Sequence, residues 1–169
     1  MLEPDLYFES IFKIPYEELR GKSIRGLIFD IDNTLTAYDE KKPSDEVTKL
    51  LQNLISQGFK ICLLTNNTNK RLNSFNENLK LPGFANALKP FSYGIKKALK
   101  EIELTPAQTA IIGDQLFTDV WAGKKNQLTT ILVKPITLRD FAFVRFKRLL
   151  ENYMLKKYFA KLKKGSVCD

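Results

Sequence analysis

The chain has 169 residues, 44% of them hydrophobic and 27% charged, with a formal net charge of +8 and no histidine. Such a length and composition fit one globular domain with a substantial core, and no apolar run approaches the ~20 residues of a membrane-spanning helix. The missing histidine excludes Ser-His-Asp and Cys-His catalysis and His-bound zinc, which leaves acid–base chemistry to carboxylates, Lys, Tyr or Cys.

In chain order, an N-terminal extension precedes residue 25 and is expected to be helical. It carries Glu3, Asp5 and Glu9 and lacks an apolar h-region, so it does not read as a secretory leader. The expected location is cytoplasmic. "RGLIFDI" (25–31) reads as a buried strand that ends in Asp30 and Asp32. Ser44 is a good N-cap for "DEVTKLLQNLISQ", whose Val47, Leu50, Leu51, Leu54 and Ile55 have helical spacing. Gly58 suits a left-handed residue that ends this helix. "KICLLT" (60–65) is the next strand. Its Cys62, like Cys168, has no partner spacing of a metal knuckle or disulfide framework.

"NKRLNSFNENL" is a weaker helix with Leu72, Phe75 and Leu79 on one side. "ANALKP" (85–90) reads as a short strand-like step, and "YGIKKALKEIE" as a helix. Thr105-Pro106 starts a helical turn. "TAIIGD" (109–114) is a strand, "TDVWAGKKNQ" a short helix, and "TTILV" (129–133) the last strand. The alternation predicts an α/β fold, a doubly wound parallel sheet with helices on both faces. Ligands of such sheets bind at the carboxyl ends of the strands. Three ends carry polar residues: Asp30 and Asp32; Thr65, Asn66 and Asn67; and Asp114 after Gly113.

Side chains two apart on an extended segment point the same way. Asp30 and Asp32 therefore repel, which raises one pKa or recruits a cation. An isolated D-x-D is more often a pair of solvated turn residues. Asp114 and Asp119 in "GDQLFTD" change that reading, because Asp114 can join the first pair around a hard cation. An all-oxygen donor set favours Mg²⁺. With the hydroxyl of Thr65, the amide of Asn66 and the charge of Lys89, the set describes a phosphoryl-transfer site.

Taken in this order, "DIDNT", "LLTN", "LKP" and "GDQLFTD" resemble the four motifs of the haloacid-dehalogenase (HAD) superfamily of phosphohydrolases. The resemblance covers about residues 25–135, the expected Rossmann-like core of a single domain spanning 1–169. It implies that Asp30 is the nucleophile that becomes an aspartyl-phosphate, and that Asp32 is the acid/base. It implies phosphate binding by Thr65, Asn66 and Lys89. It further implies Mg²⁺ held by Asp30, the Asp32 carbonyl and Asp114, with Asp119 orienting the metal's waters or Lys89. An aspartate at position 32 favours a phosphatase or phosphomutase over other branches of the superfamily.

Only 24 positions separate Thr65 from Lys89, and neither this gap nor the one before Thr65 holds the ~50 residues of a cap domain. A capless site suits hydrolysis and admits bulky substrates. Residues 134–169 hold 10 Lys/Arg against 3 Asp/Glu, and about 138–164 read as a basic amphipathic helical extension. It docks on its own domain, lies on an anionic membrane, or contacts RNA or the ribosome. The "IPYEEL"-like lead-in, "DIDNTL", "GDQLFTD" and the basic tail are similar to the YqeG-type proteins of HAD subfamily IIIA, relatives of the phosphatidylglycerophosphate phosphatases. That resemblance implies phosphatidylglycerophosphate as candidate substrate, a lipid head group as partner and a peripheral location on the inner membrane face. The alternatives are a soluble-metabolite phosphatase and an RNA-associated binding protein.

Overall fold

The structure is a computed structural model that describes residues 2–137, 155–156 and 158–160. Six strands form one parallel sheet: β1 (Leu6–Phe8), β2 (Gly26–Phe29), β3 (Lys60–Leu64), β4 (Gly83–Phe84), β5 (Thr109–Gly113) and β6 (Thr129–Val133). Their order is β1-β6-β5-β2-β3-β4. After β2 the chain adds strands on one side, and from β5 it adds them on the other. The crevice where the winding reverses therefore lies at the end of β2, between β3 and β5.

The strands are short and almost wholly apolar because both faces of the sheet are covered. Alternate residues part to opposite sides. Leu27, Phe29, Leu63 and Ile112 pack with Val47, Leu51 and Leu54 of α2 (Asp45–Ser56) and with Leu72 and Phe75 of α3 (Asn69–Asn76). Ile28, Cys62, Leu64 and Ile111 pack with Ile95, Ala98 and Ile102 of α4 (Ser92–Ile102). Each such large side chain contributes about 1.5–3 kcal/mol by burial. Cys62 is one of these core residues; burial, then the charge of Glu101, pushes its thiol up to about 12. It stays a thiol and acts as a small hydrophobe.

The cap signals hold. Ser44 Oγ accepts from Val47 N at 3.2 Å, and Gly58 has a φ of 91°. The backbone N–H groups of Gly58 and Phe59 close back on Ile55 and Leu54, which ends α2.

Three local expectations are corrected. The N-terminal extension is not wholly helical, because it opens with β1. Asp5 decides this: its carboxylate accepts from Thr130 N and Oγ1, each at 2.8 Å, and its backbone N–H donates to Thr130 O. These bonds pin the segment beside β6, and α1 (Tyr16–Gly21) follows. Residues 85–90 are not a strand-like step. The pairing residues are Gly83 and Phe84, and positive φ at Asn86 and Leu88 prevents the strand from continuing. The segment after β5 begins as a wide π turn (Leu116–Val120) before α5 (Trp121–Lys125).

The link from β2 to α2 is a loop, and the stretch from β3 to Lys89 holds only α3 and β4. Among the described residues, no inserted domain covers the strand ends. Most of 138–164 lies outside the described residues. The described part touches its own domain: Leu155 packs against Leu116, Val120 and Leu132, and the Phe159 ring meets Tyr7 edge-on at 5.0 Å. Among the described residues, no helix is long and apolar enough to cross a membrane.

Candidate active site

Asp30 is the first residue past β2, and its N–H still bonds to Ile112 O of β5. A tight turn follows. The N–H groups of Thr34, Leu35 and Thr36 all point at Ile31 O, and Asn33 takes a φ of 62°, which Asn tolerates. The turn brings Thr34 Oγ1 back to Asp30 Oδ2 at 3.3 Å. The segment after β6 clasps the same turn, with Ile136 N bonded to Asn33 O and Thr137 Oγ1 to Asn33 Oδ1.

Lys89 reaches Asp30 from the far side of β3. Its ammonium is buried and donates to Asp30 Oδ1 and Asp119 Oδ1, both at 2.6 Å, and to Leu64 O at 2.9 Å. Three acceptors match its three protons. Burial works against its charge, but Asp119 and Asp30 outweigh that and raise its pKa above the ordinary lysine value. The Asn66 side chain fixes the lysine's backbone, accepting from Lys89 N at 2.7 Å and donating to Lys89 O at 3.0 Å.

Asp119 is positioned by the π turn. Its Oδ2 accepts from Gln115 N and Thr118 Oγ1. The close approach of Asp119 to β5 requires Gly113, where an added Cβ would lie 2.2 Å from Asp119 Cγ. Gly113→Ala is therefore expected to displace Asp119 and, through it, Lys89. Misplacement on the order of 1 Å costs roughly 10²-fold in rate. The check is kcat for an aryl phosphate beside a thermal melt, and kcat within twofold of the parent would refute the positioning role.

One carboxylate oxygen from each of Asp30, Asp114 and Asp119 lies within 4.8 Å of the others, and all three residues are buried. Lys89 thus pairs with two of these carboxylates, Asp30 and Asp119. Burial raises the Asp30 carboxyl to about 7, Lys89 opposes this, and Asp119 and Asp32 add to it. A hard divalent cation fits this all-oxygen set and would offset the repulsion. Asp119 joins Asp30 and Asp114 in this cluster of carboxylates, whereas the Asp32 carboxylate turns elsewhere; the part expected of Asp32 in holding a cation is that of its backbone carbonyl.

Asp32 is only partly buried and is held from three sides. Thr65 Oγ1 and Asn67 Nδ2 donate to its Oδ2 at 3.4 and 3.1 Å, and Arg71 Nε donates to its Oδ1 at 2.8 Å. The sequence-derived residues Asp30, Asp32, Thr65, Asn66, Lys89, Asp114 and Asp119 therefore all converge on one crevice. Beside it runs a larger apolar cavity of about 420 Å³, behind Thr34–Thr36 and lined by Phe12 and Ile136.

Similarity to known proteins agrees with this geometry. The haloacid dehalogenase-like hydrolase family model matches residues 36–126. The Bacillus subtilis protein named Probable phosphatase YqeG is 34% identical over 152 residues, 90% of this chain and 88% of that protein. The chain belongs to the haloacid dehalogenase-like hydrolases. Within this family it is an enzyme of the phosphatase type. Phosphatidylglycerophosphate phosphatase 1 of Arabidopsis thaliana is 25% identical over 94% of this chain, which spans 48% of that protein. The cobalt-bound deoxy-D-mannose-octulosonate 8-phosphate phosphatase of Haemophilus influenzae shares the fold, with a TM-score of 0.55 at 19% identity over 66% of this chain and 69% of that one.

Sequence reasoning missed Arg71 and Thr34 in this HAD-type site, and it placed Asn67 at the polar end of β3 without a role. Arg71 is the most consequential. Its side chain is 10% exposed, and besides Asp32 it binds the carbonyls of Ala37 and Glu40, which ties α3 to the loop after β2. A signal was present. α3 has no acidic residue in its first turn, where Lys70 and Arg71 stand against the helix dipole. A cation in that position implies a local anion, and reading only the apolar positions of the helix passes over it.

Proposed function

We propose that this HAD-type phosphatase is a Mg²⁺-dependent phosphomonoesterase that works through an aspartyl-phosphate on Asp30. The observation that carries the reading is the buried group of Asp30, Asp114, Asp119 and Lys89 at the strand ends. Asp30 attacks phosphorus, aimed by Lys89 on one oxygen and Thr34 on the other. Asp32, steadied by Thr65, Asn67 and Arg71, gives a proton to the leaving oxygen and then takes one from the hydrolytic water. Lys89 spreads the charge of the transferring group, and Thr65 with the backbone after it binds phosphate oxygens. Asp30 and Asp114, with the Asp32 carbonyl, would hold Mg²⁺, and Asp119 holds Lys89. The cation would supply charge neutralisation at the phosphoryl oxygens.

The candidate substrate is phosphatidylglycerophosphate. Support comes from the similarity to the Arabidopsis phosphatase and from a strand-end crevice without an inserted domain, which admits a bulky ester. A lipid substrate goes with a peripheral place on the inner membrane face.

The test is phosphate release with and without Mg²⁺, from an aryl phosphate, soluble sugar and nucleotide monophosphates, and phosphatidylglycerophosphate in mixed micelles. We expect EDTA to remove activity and the lipid to have the highest kcat/KM. A soluble monoester turned over faster than the lipid would discard the lipid assignment and leave the phosphatase chemistry standing.

A further inference from the structure

The position of Asp32 sets the direction in which a leaving group departs. A residue that protonates the leaving oxygen faces it, so the rest of the substrate extends past Asp32. Next to Asp32 is a cleft of about 290 Å³ whose lining includes Asn67 and Arg71, two of the residues that bond the Asp32 carboxylate. The cleft is therefore continuous with the acid/base.

Its chemistry is cationic. Lys41, Lys70 and Arg71 line it, opposed by Asp39. Arg71 is matched by Asp32. Among the described residues, Lys41 and Lys70 enter no ion pair, whereas the adjacent Lys42 is paired with Glu77 at 2.8 Å. The walls are fixed, because Arg71 bonds the carbonyls of Ala37 and Glu40 across the cleft and Thr68 caps α3 below it. The volume lies at the lower limit of ordinary ligand pockets, which suits a small charged group better than a chain.

We infer that the cleft bordered by Lys41, Lys70 and Arg71 binds a second anionic group on the leaving-group side of the substrate. The enzyme then selects phosphomonoesters whose alcohol carries another phosphate or a carboxylate. The assignment rests on the aspartyl-phosphate reading above, because that reading orients the leaving group. The same chemistry is offered by the phosphodiester of a lipid head group and by the second phosphate of a soluble bisphosphate.

The experiment compares the parent with Lys41→Gln/Lys70→Gln, which leaves Arg71 and Asp32 untouched. Three substrates are used with Mg²⁺: phenyl phosphate, a short-chain phosphatidylglycerophosphate and a soluble sugar bisphosphate. In the double variant, kcat/KM for an anion-bearing substrate relative to phenyl phosphate is expected to fall about tenfold, mostly through KM, with the parent's preference weakening in salt. A fall confined to the lipid assigns the site to a lipid diester, and one confined to the bisphosphate assigns it to a soluble metabolite. Either supports the subsite. An unchanged ratio, with the melting curve intact, overturns it while the phosphatase reading stands. If the parent hydrolyses no monoester, the phosphatase reading itself fails and takes the subsite with it.

Discussion

Asp30→Asn is expected to abolish Mg²⁺-dependent phosphate release, by about 10⁴-fold or more, because an amide cannot form the acyl phosphate. The same change should leave the fold as stable as before or more so. Asp30 and Asp119 share the ammonium of Lys89 with the Asp114 carboxylate close by, and burial already pushes Asp30 up to about 7. Removing one of three crowded carboxylates relieves repulsion, and Asn fills the same space. Lys89 keeps its bonds to Asp119 Oδ1 and Leu64 O. The pair of measurements is turnover of an aryl phosphate and a thermal melt without metal. Loss of activity with an equal or higher midpoint is the signature of a nucleophile placed at some cost to stability. A variant that keeps even a tenth of the parental rate would sink the role given to Asp30.

The second large effect concerns Lys89. Lys89→Met keeps an unbranched side chain, shorter only by the terminal nitrogen position, and removes the charge. It leaves Asp30 and Asp119 buried together without the cation that joins them at 2.6 Å each. Breaking a buried pair by removing one partner costs about 3–5 kcal/mol. For a chain of this size that is a fall in melting midpoint of roughly 6–20 °C. Unlike Asp30→Asn, this variant should regain part of its stability on addition of Mg²⁺, because a cation bound among the carboxylates stabilises the folded state. Activity should remain low even when the fold is restored, since the transferring group has lost its positive neighbour. A midpoint within 2 °C of the parent would show that Lys89 does not hold the two acids together, and would remove the main electrostatic argument for the site.

Asp30 and Asp32, two positions apart in the chain, stand in different surroundings. Asp30 sits in a buried network with Lys89 and Asp119. Asp32 sits three residues beyond the strand's end, beside the cleft, in the grip of Thr65, Asn67 and Arg71. A spacing of two along the chain put both carboxylates at one strand end. Their division into a buried, lysine-paired environment and a partly exposed, arginine-paired one comes from different partners on different elements.

Much of this was legible in the sequence because it depends on local rules. Apolar runs of four or five residues mark strands covered on both faces, and the runs at 25–31, 60–65, 109–114 and 129–133 all lie in the sheet. Ser44 and Gly58 bound α2 because capping is decided by a few adjacent backbone groups. The polar strand ends named the residues that converge on the crevice, since the carboxyl edge of a parallel sheet is where such a fold binds ligands.

Other features depended on contacts between distant parts of the chain, which no window of sequence contains. β1 has three residues and no periodic signal, and it is a strand because Asp5 bonds to Thr130 across 125 positions. Residues 85–90 looked extended, but positive φ at Asn86 and Leu88 turns the backbone so that Lys89 enters the crevice. Arg71 read as one more charge on a weak helix, and its partners at positions 32, 37 and 40 become visible only when α3 packs beside the loop after β2. Sequence alone therefore determined the four central strands, the caps of α2 and the identity of the acids at the strand ends. The tertiary structure decided which acids share the Lys89 ammonium and which one pairs with Arg71, because electrostatic partnership falls off within a few ångströms and only folding sets those distances.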